Sequence, residues 1–209
     1  MRESKFYMIL CIVHTLIVGS LWLFITNIVT LGLFMIPSFC AGFTMAKEMI
    51  YKDFDYHGSV TRRYFQLVAQ NLKLMKYCYL NIMILINLVG IFLGIYTGMT
   101  VIAYLSLMIV ASLMTFIGYL SGYYTFIDEN FTLSEAAVFM FYKPVSMLML
   151  ISLHLLFLLF LNNMLVFVFA FGGAGILYAI ALVVCSQSLM FKKRFNLLHE
   201  EDLRFKIGA

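Results

Sequence analysis

Residues 6–46 read FYMILCIVHTLIVGSLWLFITNIVTLGLFMIPSFCAGFTMA and contain no Asp, Glu, Lys or Arg. A straight helix of that length would measure about 60 Å, roughly twice the hydrocarbon thickness of a bilayer. Somewhere the run must turn, lie flat or cross back. Pro37 has no backbone donor and disfavours helix at Ile36, yet it suits the first turn of a new helix. The expected division is therefore a first span at 6–36, ending over 32–36, followed by a short or re-entrant helix at 37–49. Ser38 would then stand at an exposed helix N-terminus, where it caps the helix or, with Asn27, faces a small polar ligand.

Two further stretches, 77–127 and 144–191, also lack these four residue types. The first divides near Tyr96-Thr97-Gly98 and the second near Asn162-Asn163, so each reads as a pair of spans, with hairpins at 77–126 and 144–190. The whole chain is 64% hydrophobic and 11% charged, with a mean hydropathy of +0.99. A soluble domain carries about 25% charged residues, so these values describe an integral membrane protein. The first apolar run exceeds a signal-peptide core of about 7–15 residues, so the N-terminus is expected to be retained. Cys11, Cys40, Cys78 and Cys185 show no paired spacing and read as buried thiols.

Charge collects in the remaining segments. Residues 50–76 form an expected cytoplasmic loop and interfacial amphipathic helix, in which Arg62, Gln66, Gln70 and Lys73 recur at helical spacing while Val60, Leu67, Val68, Leu72 and Met75 fall opposite. With Arg63, the polar stripe is a candidate partner-docking face, and a merely solvated surface remains open as the alternative. Residues 127–143 make a second cytoplasmic loop, where Thr132-Leu133-Ser134-Glu135 has the pattern of a capping box. Residues 191–209 form a basic tail, which the positive-inside rule also assigns to the cytoplasm. The formal charge of +4 lies beside apolar segments, which points to lipid headgroups and away from nucleic acid.

The expected fold is thus all-α: residues 1–209 form a single transmembrane domain, a polytopic helical bundle with five full spans, the sixth segment near Pro37 and the interfacial helix. Gly90, Gly94 and Gly98, and again Gly118 and Gly122, recur every four residues, as close helix packing in lipid favours. Cys11 and His14 lie one helical turn apart and His154 sits in another apolar run, but these are too few for a zinc site. No cofactor, metal site or catalytic constellation is expected. A lipid-handling enzyme or sensor would need a substrate bond beside His14 or His154. Without mid-membrane carboxylates the chain lacks the relay of a proton-coupled transporter, although a neutral solute could still pass.

LIVGSLWLFITNIVTLGLFMIPSFCAGFTMAKEM carries Leu-Trp-Leu in the first span and Gly-Leu-Phe ahead of Pro-Ser-Phe-Cys-Ala-Gly-Phe, with a basic loop behind it. Together with RRYFQLVAQNLKLMKY, the Tyr123-Tyr124-Thr125-Phe126 exit and Lys143-Pro144, this order resembles the YesL-like family of uncharacterised bacterial membrane proteins, over nearly the whole chain. Gly32 stands five residues ahead of Pro37, where that family joins Gly to Pro, and Ala41-Gly42 replaces its Ala-Ala pair. Members often lie beside genes for carbohydrate-uptake ABC transporters and polysaccharide breakdown. The resemblance therefore implies an accessory or regulatory role in sugar uptake in a Gram-positive cell membrane, with an ABC transporter subunit as partner.

Overall fold

The computed structural model describes residues 5–50, 58–160 and 173–195, all of it helices and their connections. In chain order these are α1 (Lys5–Val29), α2 (Met35–Ile50), α3 (Val60–Gln70), a 3-10 segment (Asn71–Tyr77), α4 (Cys78–Tyr96), α5 (Thr100–Phe126), α6 (Leu133–Phe141), α7 (Pro144–Phe160) and α8 (Gly173–Arg194). Among the described residues three helices are long and apolar enough to cross a membrane: Ile9–Val29, the continuous Val60–Tyr96, and Thr100–Phe126. A fourth candidate is the pair α6 and α7, bent by 97° at its break. The chain is thus compatible with a multi-pass membrane protein.

The break in the first apolar run comes earlier than Pro37 suggests. At the end of α1 the amide of Gly32 donates to Asn27 O at 2.6 Å and that of Leu31 to Ile28 O at 3.1 Å, the paired bonds of a Schellman cap. Such a cap needs a left-handed residue, and here Leu31 (φ 50°) supplies it, with Gly32 (φ 78°) next. Helix resumes at Met35, so Pro37 sits inside the first turn of α2, where no i−4 bond is forfeited. Ser38 does not cap: its amide already bonds Phe34 O at 2.9 Å, and its side chain is fully buried.

Nor does the polar stripe of 59–76 keep one helical period. Ser59 caps α3 by accepting from the Arg62 amide, and Val60, Tyr64, Leu67 and Val68 face inward. From Asn71 the backbone tightens to 3-10 geometry at three residues per turn, which turns Asn71, Leu74 and Tyr77 inward. Leu72, placed on the apolar side by a 3.6-residue count, is consequently 40% exposed. The chain then runs into α4 without a turn.

Depth can be read along α4. Asn81, three residues past its start, donates through Nδ2 to Leu33 O in the α1–α2 turn at 3.2 Å. The remaining rise from Asn81 to Tyr96 is roughly 22 Å at 1.5 Å per residue. The α1–α2 turn therefore lies far short of the α4–α5 turn, and α2 is level with the C-terminal part of α5: Phe43 approaches Gly122, and Lys47 Nζ donates to Thr125 O at 3.0 Å.

Two regions result. At the charged end α2, α6 and α8 gather round the last turns of α5, with α3 packed against α1 and α2, and Tyr123 contacts the rings of Phe131, Phe139 and Phe191 at centroid distances of 5.7, 5.6 and 6.4 Å. Beyond it the α4–α5 hairpin projects with Ile86, Phe92, Tyr96, Val101 and Tyr104 exposed, an apolar surface suited to lipid.

Candidate functional site

The expected docking residues divide between two roles. Arg63 points back toward α2 and forms a two-point ion pair with Glu48, its Nε lying 3.4 Å from Oε2. Lys73 Nζ donates to Glu129 at 2.8 Å and stands 5.2 Å from the Tyr124 ring centre, so it joins the 3-10 segment to the loop after α5. Arg62, Phe65, Gln66 and Gln70 face outward. Arg62 makes no ion pair among the described residues. The start of α3 is pinned to α1, since Trp22 Nε1 donates to Thr61 Oγ1 at 2.9 Å and the Trp22 and Phe65 rings meet edge-on at 4.9 Å. What faces outward is a narrower surface than the five-residue stripe, and it includes an aromatic ring that charge and amide spacing did not single out.

Two adjoining cavities open at the start of α3 and share Gly58, Ser59 and Val60. One, of about 310 Å³, is polar, with Glu48, Arg62, Arg63 and Gln66 in its wall. The other, of about 420 Å³, runs along α1 past Tyr7, Leu10, Cys11, His14 and Val18. Cys11 and His14 thus share a cavity wall, but no group of three metal-ligating side chains occurs among the described residues. Of the other three cysteines, Cys40 and Cys185 are buried and Cys78 is partly exposed.

The suggested turn site is not an open site. Ser38 and Thr26 point their hydroxyls at the buried Tyr64 hydroxyl, and no hydrogen bond of good geometry links the three. Asn27 folds its amide back onto Leu23 O at 2.7 Å. Pro37 contributes helix-start geometry only. Nearby, the Cys40 thiol faces Ser121 on α5, both fully buried. The result is a file of neutral polar groups where α1, α2, α3 and α5 meet.

Farther along α5 the buried polar groups are bonded. His154 Nδ1 lies 2.8 Å from Leu150 O and 3.0 Å from Thr115 Oγ1, while that hydroxyl donates to Ala111 O at 2.9 Å. The carbonyl can only accept, so Nδ1 carries the proton and His154 acts as a tie between α7 and α5. Gln187 links three helices: its Oε1 accepts from Tyr119 OH at 3.1 Å and its Nε2 donates to Phe139 O at 2.6 Å. A lone glutamine in an apolar run gives little warning of this, since its partners are 48 and 68 residues away in sequence.

The glycines also separate. A Cβ on Gly94 would meet the Ala103 backbone N at 2.7 Å, and one on Gly90 would meet Ser106 Oγ at the same distance. Gly122 is closed off by Val184, whereas a Cβ on Gly118 would make an ordinary contact with Ile180. Gly98 is no packing residue: it has φ 73°, lies in the α4–α5 turn, and a Cβ there would meet nothing within 4 Å. Asn162 and Asn163, the first two residues of Phe171-Gly172-Gly173, and the tail from 196 onward lie outside the described residues.

Comparison with known proteins finds no family, no curated protein and no solved structure that matches this chain.

Proposed function

We propose that the chain is a non-enzymatic accessory or regulatory subunit of a membrane complex, with a carbohydrate-uptake ABC transporter as the partner that the YesL-like resemblance favours. The observation that carries this reading is the outward face of α3. Arg62, Phe65, Gln66 and Gln70 are exposed on a helix held in place by Trp22–Thr61 and Arg63–Glu48. A surface held rigid in this way loses little freedom when a partner binds it. In the proposed topology α1, α4, α5, α7 and α8 are the five spans, α2 is the re-entrant segment, and α3 with the 3-10 segment lies at the cytoplasmic interface of the cell membrane. The C-terminus is cytoplasmic. Affinity purification from native membranes in mild detergent tests the assignment: transporter components should co-purify, and recovery of the chain alone would count against it.

A second reading is a small permease or channel for a neutral solute. It is favoured by the unbonded hydroxyls of Thr26, Ser38, Tyr64 and Ser121, which lie inside the bundle. Liposomes containing only this protein discriminate, because an accessory subunit gives no solute flux.

A further inference from the structure

We infer that the two cavities at the start of α3 form one binding site for an anionic phospholipid, with the phosphodiester held at Arg62 and Arg63 and an acyl chain lying along α1. The inference does not depend on the transporter assignment. Its first support is the continuity of the cavities, which meet at Gly58, Ser59 and Val60 but differ in chemistry. Among the described residues the polar one holds two guanidinium groups against one carboxylate, Glu48. Glu48 is matched by Arg63, so among the described residues the Arg62 charge in the cavity wall has no ion-pair partner and can meet an incoming anion. The planar fork of an arginine suits phosphate oxygens.

The second support is the apolar cavity. Leu10 and Val18 line it with the Tyr7 ring, and Tyr7 and Leu10 are 43% and 51% exposed. On the same helix Ile9 and Val13 are also exposed, so a lipid tail can enter sideways from a bilayer between them, with His14 and Thr15 the polar groups of that wall. A free phosphate would use only the first cavity and leave the second without an occupant. The helix N-terminus itself is not the anion site, because Ser59 already accepts from the Arg62 amide. A single amphiphile with a negative headgroup matches both halves.

The test uses the full chain purified in a neutral detergent, with thermal unfolding followed during titration of phosphatidylglycerol, phosphatidylcholine or inorganic phosphate. Phosphatidylglycerol should raise the melting midpoint in a saturable way, and the other two should not. Arg62→Gln should weaken the apparent affinity about ten-fold, the loss expected for one charge-assisted contact. Leu10→Trp, which narrows the apolar cavity from an exposed position, should weaken the response while leaving the lipid-free midpoint nearly unchanged. If Arg62→Gln does not fold, Leu10→Trp carries the test alone. Equal stabilisation by phosphatidylcholine would overturn headgroup recognition, and equal stabilisation by phosphate would reduce the site to an ion site. Phosphatidylglycerol binding unaffected by Leu10→Trp would place the lipid elsewhere and overturn the proposal.

Discussion

Replacing Gly94 by alanine adds one methyl group, and its position is defined by the α4–α5 contact. The new Cβ would lie 2.7 Å from the Ala103 amide nitrogen, 3.0 Å from Ala103 Cβ and 3.1 Å from its Cα. Two of these atoms are backbone and the third is fixed to it, so no rotamer change relieves the overlap. The two helices must separate, and overpacking of this kind costs about 1–3 kcal/mol. Alanine is the better helix former by about 0.5–1 kcal/mol, which offsets part of that cost. With the overlap at the severe end, the net loss should be about 2 kcal/mol, or a fall of about 4–8 °C in melting midpoint for a chain of this size. Gly118→Ala is the internal control. Its Cβ would meet Ile180 Cγ2 at 3.6 Å, an ordinary contact, so only the helix-propensity gain remains and the midpoint should hold or rise. Gly90→Ala should fall between them, since the obstructing Ser106 Oγ at 2.7 Å can rotate away. A thiol-reactive dye suits the measurement, because Cys40 and Cys185 become accessible only on unfolding. Equal effects at Gly94 and Gly118 would refute the argument from the contact distances.

Gln187→Leu strips Tyr119 OH of its partner and leaves Phe139 O with the Tyr142 amide at 3.3 Å, so one unsatisfied buried hydroxyl should lower stability by about 1–3 kcal/mol in the same melting assay. Asn87→Leu, whose amide bonds only Met83 O in its own helix, should be nearly neutral. Leu31→Gly should raise the midpoint, because Leu31 holds φ 50° at 73% exposure and the left-handed position costs a side-chain-bearing residue about 1–2 kcal/mol. Thr132→Ala, which breaks the reciprocal cap with Glu135, should cost about 1 kcal/mol. In intact cells a membrane-impermeant maleimide should label Thr97→Cys, in the α4–α5 turn, and leave Leu31→Cys unmodified; labelling of both from outside would refute the offset between the two turns.

The helical class and the approximate ends of the long elements are legible in the sequence because both follow from local causes. Charge-free runs set where apolar helices lie, and Thr132 and Glu135 form their reciprocal bonds within a single turn. The first break is legible in kind but not in place. Pro37 is the stronger local signal, yet proline is compatible with the third position of a helix, whereas the cap that ends α1 rests on a leucine in a conformation usually given to glycine. The apolar stripe after Gln70 misleads for a related reason. A change from 3.6 to three residues per turn leaves little trace in composition, but it exchanges Leu72 for Leu74 on the buried face.

What sequence spacing could not supply is depth. Gly32, Asn27 and Pro37 can be read as parts of one turn, but only the bond from Asn81 to Leu33 O sets that turn beside the first turn of α4. The same displacement explains why the polar candidates divide. Residues carried inward with α2, such as Ser38 and Cys40, meet Tyr64 and Ser121 in the interior, while Arg62 and Gln66, one turn apart on α3, remain on the surface. A helix hairpin shifted by roughly 22 Å along its neighbour thus converts a suspected ligand turn into core and leaves the start of α3 as the open, chemically mixed surface.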